Sequence, residues 1–137
     1  MSRAWFTKAL LPWYAEHKRP LPWRETRDPY RIWLSEVILQ QTRVEQGREY
    51  WHLFVETYPT VAELAAATED QVLRLWQGLG YYSRARNLRT AAKQVVEEHM
   101  GGFPDSYEGL KGLKGVGEYT AAAIGSIAFG LAEPVVD

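Results

Sequence analysis

One glutamate, Glu36, stands in a sequence setting that suits acid–base chemistry. It lies within Ile32-Trp33-Leu34-Ser35-Glu36-Val37-Ile38-Leu39, where helical spacing surrounds it with apolar residues on nearly every side. A carboxyl group flanked by apolar side chains loses hydration, which raises its pKa and lets it hold a proton near neutral pH. Such an acid can protonate a leaving group. The residues alone leave a second interpretation equally open, in which Glu36 pairs with a buried arginine such as Arg31 or Arg43.

A second candidate site is the glycine-rich run Leu113-Lys114-Gly115-Val116-Gly117. A short helix is predicted before it, near residues 106–111, and another after it, to about residue 130. Glycines let backbone N–H groups approach a phosphate closely, and the N-terminus of the second helix adds its positive dipole end. The pattern favours a helix-hairpin-helix over about 106–130 that binds DNA backbone through Gly115, Gly117, Val116 and Lys114. An ordinary turn between two helices is the alternative.

The elements that must position these groups are helical throughout. Asp28-Pro29 is typical of a helix start, and three further starts carry capping-box spacing. Those three are Thr42-x-x-Glu45, Thr60-x-x-Glu63 and Thr68-x-x-Gln71. No segment alternates for long enough to predict a strand. The sequence therefore predicts an all-α fold with roughly seven or eight helices.

The amino-acid composition excludes several kinds of site and of protein. The 137 residues include no cysteine, which excludes disulfides, thiolate metal sites and cysteine nucleophiles within this chain, and the three histidines are widely separated. No apolar run approaches the length of a membrane span, so we expect a soluble, cytoplasmic protein without a membrane partner. Residues 81–96 carry four basic and no acidic side chains. Charge alone favours solvated helix faces over a polyanion-binding face for this island.

Four motifs together resemble one known family. They are Leu21-Pro22-Trp23-Arg24, Ser35-Glu36-Val37-Ile38-Leu39-Gln40-Gln41-Thr42, Gly78-Leu79-Gly80-Tyr81-Tyr82-Ser83-Arg84-Ala85-Arg86-Asn87 and Leu113-Lys114-Gly115-Val116-Gly117-Glu118-Tyr119-Thr120. In this order they resemble the MutY family of adenine DNA glycosylases, within the endonuclease III-like helix-hairpin-helix superfamily. The resemblance covers essentially the whole chain. It implies the helix-hairpin-helix DNA glycosylase fold, with residues 1–20 as a helix of a cluster domain and residues 21–137 as the six-helix barrel region.

The resemblance also assigns roles to individual residues. It implies that Glu36 protonates an adenine mispaired with 8-oxoguanine or guanine in duplex DNA, and that Asp137 stabilises the resulting oxocarbenium-like sugar. Gln41 and Tyr81 match residues that wedge into the duplex. Leu39, Thr42 and Arg24 match groups that line the lesion strand or the base pocket, and Trp23 matches a pocket aromatic. Core packing is the alternative for the aromatic residues, and we expect it for Trp33 and Tyr82.

Tyr119 occupies the position at which strand-cleaving relatives carry a lysine that forms a Schiff base. A phenol cannot form that imine, so the resemblance implies a monofunctional glycosylase. Family members also bind a [4Fe-4S] cluster through four cysteines in a C-terminal region beyond these residues. They continue with Gly-Asn-Val after the residue that matches Asp137, so the resemblance implies an N-terminal portion, which we expect to be weakly stable and weakly active alone.

Other functions stay open at this point. A thymine-mismatch or oxidised-pyrimidine glycosylase of the same superfamily is the nearest alternative. A DNA-backbone binding module without catalysis and a helical bundle that binds other proteins are the others. For the adenine glycosylase we expect a monomer that acts on nucleoid-associated DNA in the bacterial cytoplasm.

Overall fold

The computed structural model describes residues 26–40 and 42–131 of the chain. Within these residues it contains seven helices and no strand, which confirms the all-α prediction. The helices are α1 (Pro29–Leu39), α2 (Val44–Thr57), α3 (Val61–Ala66), α4 (Glu69–Trp76), α5 (Ser83–Glu98), α6 (Tyr107–Lys111) and α7 (Glu118–Phe129). The predicted N-terminal helix at 1–20 lies outside the described residues.

Most of the predicted helix starts are confirmed by their capping bonds. The Asp28 carboxylate accepts a hydrogen bond from the backbone N–H of Tyr30, with Pro29 in the first turn of α1. Both bonds of the capping box are present at Thr60 for α3 and at Thr68 for α4. Local side-chain chemistry therefore sets these three helix starts.

The capping box predicted at Thr42 is wrong. Helix α2 begins at Val44, its N-cap is Arg43, and no side chain caps it. The Thr42 hydroxyl instead donates to the backbone carbonyl of Gln40, and it lies 3.5 Å from both terminal nitrogens of Arg84. Because the Thr42 hydroxyl contacts residues outside α2, it does not bond to the first backbone N–H groups of that helix.

Helix α1 is the most deeply buried of the described elements. Trp33, Leu34 and Ile38 are fully buried in one continuous core, and α1 packs against both α2 and α7. Helix α5 packs against α3 and α4, and α6 packs against α7. This arrangement gives the helix that carries Glu36 a rigid, apolar surrounding and sets it beside the second helix of the predicted hairpin.

No helix in residues 26–40 and 42–131 is long and apolar enough to span a membrane.

Candidate active site and nucleic-acid interface

Glu36 lies in the middle of α1, among residues that exclude water from most of its surface. Val37 and Ser35 on either side of it are buried, and the Glu36 side chain itself is only partly exposed. Burial raises the pKa of its carboxyl group from 4.5 to about 7. The structure thus gives Glu36 the desolvated setting that the helical spacing predicted.

The alternative ion pair for Glu36 is absent among the described residues. Arg31 contacts Asp28 instead, with 3.7 Å between the guanidinium Nε and the carboxylate, and Arg43 is an exposed residue at the start of α2. No described side chain forms an ion pair or hydrogen bond with the Glu36 carboxylate. A carboxyl group that is desolvated and unpaired can hold a proton at neutral pH and release it to a bound molecule.

The loop between α4 and α5 presents Tyr81 to solvent. The side chain of Tyr81 is 65% exposed, and its backbone has a φ of 50°, a left-handed conformation that non-glycine residues rarely adopt. Two flanking contacts hold the loop: the Trp76 indole N–H donates to the Gly80 carbonyl at 2.9 Å, and the Tyr50 hydroxyl donates to the Gln77 carbonyl. A large aromatic ring is therefore held outside the core on a constrained backbone, as a residue that inserts into a ligand requires.

Of the two aromatic residues expected in the core, one is buried and the other is exposed to solvent. Trp33 is fully buried, as predicted. Tyr82 is 39% exposed at the start of α5, so the prediction that it packs in the core is wrong. The α4–α5 loop turns both tyrosines outward because Gly78 and Gly80, with φ of 99° and 75°, reverse the chain just before them.

Arg84 ties the end of α1 to this loop. One terminal nitrogen of its guanidinium donates to the carbonyls of Val37 at 3.0 Å and Ile38 at 3.3 Å, and also to that of Gln40. The guanidinium carbon lies 4.9 Å from the ring centre of Trp76 and 5.7 Å from that of Tyr81. Burial lowers the pKa of Arg84 from its ordinary value, while the nearby Tyr81 opposes that shift.

The remaining cations of the basic island also make internal contacts. The Nε of Arg89 donates to the Ala67 carbonyl at the end of α3, at 2.7 Å. Arg86 and Lys93 pair with Glu69 and Glu97 across 3.7 and 3.5 Å. Arg89 and Arg86 thus join neighbouring helices, and the Lys93 pair lies within α5.

The predicted helix-hairpin-helix has its two helices at α6 and α7, with residues 112–117 between them. The N–H groups of Lys114 and Val116 are bonded internally, to the Gln94 side chain at 2.6 Å and to the Leu113 carbonyl at 3.0 Å. Among the described residues, those of Gly115 and Gly117 have no such partner, and both glycines are exposed. The turn therefore leaves two N–H groups for an anion, next to the exposed Lys114.

The structure limits what Val116 can do in this site. Its side chain is buried in the core, and its N–H is already bonded. Its predicted part in DNA binding is thus confined to holding the turn in shape.

Other predicted site residues lie at the edges of these two regions. Leu39, half-buried, packs its side chain against Gly47 of α2, where an added Cβ would lie 2.7 Å from it. Tyr119, 41% exposed, is the second residue of α7. Trp23, Arg24, Gln41 and Asp137 lie outside the described residues.

The contacts of three residues that position these groups could not be predicted from the sequence. Arg84, Gln94 and Tyr50 each bond to backbone atoms that are 18 or more residues away along the chain. Such contacts follow from how the helices are arranged, which residue spacing does not predict.

Comparison with known proteins matches this geometry to a family. Residues 34–137 fit the model of the HhH-GPD superfamily base excision DNA repair protein, and the chain belongs to that superfamily. It is 48% identical to human adenine DNA glycosylase over 96% of this chain and 26% of that protein. It is 36% identical to an adenine DNA glycosylase of Buchnera aphidicola subsp. Acyrthosiphon pisum, over 100% of this chain and 39% of that protein. The chain thus spans well under half the length of these relatives.

Solved structures agree with the fold. A thermostable thymine-DNA glycosylase superposes with a TM-score of 0.78 at 28% identity, over 94% of this chain and 60% of that one. A non-covalent endonuclease III–DNA complex superposes with a TM-score of 0.73 at 21% identity, over 95% of this chain and 61% of that one. These matches confirm the predicted glycosylase fold.

The [4Fe-4S] cluster implied by the family resemblance does not fit the side chains of this chain. Such clusters are held by cysteine thiolates, and the 137 residues contain none. Over residues 26–40 and 42–131, no group of three histidine or carboxylate side chains could hold a metal ion either.

Proposed function

We propose that this chain supplies the proton donor and the DNA-backbone contact of a monofunctional DNA N-glycosylase that removes adenine paired with 8-oxoguanine or guanine. The observation that carries the proposal is the desolvated carboxyl group of Glu36, which has no ion-pair partner among the described residues and whose pKa is raised to about 7. At neutral pH a substantial fraction of the molecules then carry the proton that departure of the base requires.

The reaction follows from this proton. Glu36 transfers it to N7 of an adenine that has left the base stack, and the bond between N9 and C1′ of the sugar breaks with its electron pair going to the base. Adenine leaves as a neutral molecule. Asp137 is proposed to stabilise the positive charge that develops on the sugar. Water then adds to C1′ and gives up one proton, which returns the Glu36 carboxylate to its acid form, and an abasic site is left.

DNA binding is proposed to involve two regions, the hairpin turn between α6 and α7 and the surface around Tyr81. The N–H groups of Gly115 and Gly117, which have no partner in the part of the chain that the structure describes, suit a backbone phosphate together with the Lys114 ammonium. The exposed ring of Tyr81 suits insertion beside the mispair, and Gln41, Thr42 and Leu39 are proposed to contact the lesion strand with it. Trp23 and Arg24 are proposed to line the base pocket.

The identity of the base rests on the relatives. The names of the curated relatives, at 35–48% identity, support adenine. The superposition on a thymine-DNA glycosylase supports thymine as the second candidate. Tyr119 has no amine with which to form an imine, which supports base removal without strand cleavage.

The test is single-turnover excision by the protein in its natural full length on three labelled duplexes. These carry adenine opposite 8-oxoguanine, thymine opposite guanine, and an oxidised pyrimidine. We expect adenine release, with strand breaks only after hot alkali. Release of thymine or of the pyrimidine instead would overturn the substrate. Duplex binding without release of any base would favour a binding module over an enzyme.

A further inference from the structure

Arg84 occupies a place where three parts of the candidate site meet. Its side chain comes from the first turn of α5 and reaches two of the last carbonyls of α1, at Val37 and Ile38, and that of Gln40 just after the helix. Thr42 lies 3.5 Å from both of its terminal nitrogens, and Tyr81 lies beside its guanidinium plane. One side chain therefore contacts the helix that carries Glu36, the segment after that helix, and the exposed aromatic ring.

The chemistry of a guanidinium suits this position. The last carbonyls of a helix have no partner within the helix and carry partial negative charge, which a buried cation with several donors satisfies. The planar group can also lie against aromatic rings, as it does between Trp76 and Tyr81. A lysine has the charge, but it lacks both the planar fork and the stacking surface.

These contacts use one side of the guanidinium within the fold. One terminal nitrogen donates to the carbonyls of Val37, Ile38 and Gln40, and the other lies 3.5 Å from the Thr42 hydroxyl. Arg84 bonds to the carbonyl of Val37, the residue after Glu36, and lies beside the Tyr81 ring, so one side chain links these two parts of the candidate site.

We propose that Arg84 is a positioning residue for base excision: it holds the end of α1, Thr42 and the Tyr81 ring in one fixed arrangement. This inference rests on the proposed glycosylase function. The side chain acts through Glu36 and Tyr81 and does not itself touch the base. Loss of its bonds leaves DNA binding through the hairpin intact, because residues 112–117 are held by Gln94 and not by Arg84.

The test compares Arg84→Lys and Arg84→Met with a matched control, Arg74→Lys. Arg74 is an exposed residue of α4. Each variant of the natural full-length protein is measured on duplex containing adenine opposite 8-oxoguanine. Three quantities are recorded: the amplitude of the burst, which counts folded active molecules, the single-turnover excision rate at saturating protein, and the Kd for duplex with an uncleavable adenine analogue.

We expect the excision rate of Arg84→Lys to fall at least about tenfold, because a small misplacement of reacting groups is costly in rate. Its Kd is expected to rise by a smaller factor than the rate falls, since Tyr81 and Thr42 lose their fixed places while the hairpin contact remains. The excision rate of Arg84→Met is expected to fall further. Addition of free guanidinium ion at low millimolar concentration is expected to restore part of that rate. Arg74→Lys is expected to match wild type in all three quantities.

Two results would overturn the inference. One is an Arg84→Lys rate equal to that of Arg74→Lys. The other is a loss confined to burst amplitude, which would make Arg84 a residue needed only for folding. Failure of the proposed function looks different, since wild-type protein itself would then release no adenine.

Discussion

Glu36 is a carboxyl group held where its ionised form is disfavoured. A rise in pKa from 4.5 to about 7 corresponds to about 3 kcal/mol against the folded state once the group is ionised. Because the folded chain binds this proton more tightly than the unfolded chain, the free energy of unfolding falls as pH rises from about 4.5 to about 7. The folded chain thus loses stability when Glu36 ionises, and Glu36 is the residue that is proposed to transfer the proton.

The first prediction concerns the stability of Glu36→Gln. Glutamine cannot ionise, so between pH 5 and 8 the free energy of unfolding of wild type is expected to fall by about 2 to 3 kcal/mol relative to this variant. Urea unfolding of both proteins at several pH values measures the difference. Glu56→Gln, at an exposed position of α2, is the control and is expected to follow wild type. A pH-independent gap between Glu36→Gln and wild type would contradict the raised pKa.

The second prediction concerns Tyr119, which is 41% exposed near the start of α7. Tyr119→Lys supplies an amine that can attack C1′ of the abasic sugar, form an imine and allow strand cleavage by elimination. We expect this variant to break the strand without alkali and to be trapped on DNA by borohydride. Tyr119→Phe, which has no amine, is expected to do neither. An absence of trapped product with the lysine variant would remove Tyr119 from the reaction centre.

For single residues, the sequence predicted the burial of a side chain better than it predicted which residues that side chain contacts. The desolvated setting of Glu36 follows from apolar spacing along a single helix, which the sequence displays directly. The contacts of Arg84 do not, because they join residues 42 to 47 positions apart. Tyr82 illustrates the same limit: its exposure depends on how two left-handed glycines turn the preceding loop.

Among the elements, the hairpin turn is held by a helix outside it. Gln94 of α5 donates from its amide nitrogen to the Gly112 carbonyl at 3.1 Å, and its amide oxygen accepts from the Lys114 N–H at 2.6 Å. Gly115, with a φ of 80°, lies directly over Asn87 of the same helix, where an added Cβ would be 3.1 Å away. Helix α5 therefore sets the conformation of the turn, in which the N–H groups of Gly115 and Gly117 have no partner among the described residues.

The third prediction follows from this contact. Gln94→Leu removes both hydrogen bonds while keeping a side chain of similar size, so the affinity for duplex DNA is expected to fall about three- to tenfold, the equivalent of about 1 kcal/mol. Fluorescence anisotropy measures the affinity. The excision rate at saturating protein is expected to stay within twofold of wild type.

Thr90→Ala is the control for the hairpin, since Thr90 is exposed on the same helix. It is expected to bind duplex as wild type does. Unchanged affinity in Gln94→Leu would contradict a role of the turn in DNA binding, and a selective loss of rate would assign Gln94 to the chemistry instead.

The fourth prediction compares helix caps. Thr60→Ala and Thr68→Ala each remove a complete capping box and are expected to lower the free energy of unfolding by about 1 kcal/mol. Thr42→Ala removes no cap and is expected to cost clearly less. Denaturant unfolding measures all three variants. An equal loss for Thr42→Ala would mean that the hydroxyl stabilises α2 after all.

The capping patterns show when a short sequence pattern predicts a helix start and when it does not. Where a threonine has no other partner, as at Thr60 and Thr68, the four-residue pattern predicts the helix start correctly. At Thr42 the pattern fails because the hydroxyl contacts Arg84 from a distant helix. Sequence spacing cannot reveal that competition.

For the molecule as a whole, the all-α class and most helix bounds follow from caps, prolines and glycines that act locally. The packing of α1 between α2 and α7 does not, although it brings the Glu36 helix beside the hairpin. The superposition on a thymine-DNA glycosylase supports the same helix arrangement, with a TM-score of 0.78 over 94% of this chain. Desolvation of Glu36 is thus a property of the assembled helices as much as of its own segment.

The central claim is that Glu36 delivers the proton that releases the base, and the pH dependence of single-turnover excision in wild type and Glu36→Gln tests it most directly. On duplex with adenine opposite 8-oxoguanine, the wild-type rate is expected to be level at low pH and to fall about tenfold per unit above about pH 7. Glu36→Gln is expected to bind the duplex with wild-type affinity and to release no adenine. A wild-type rate that is flat from pH 6 to 9, or excision by Glu36→Gln near the wild-type rate, would contradict the account.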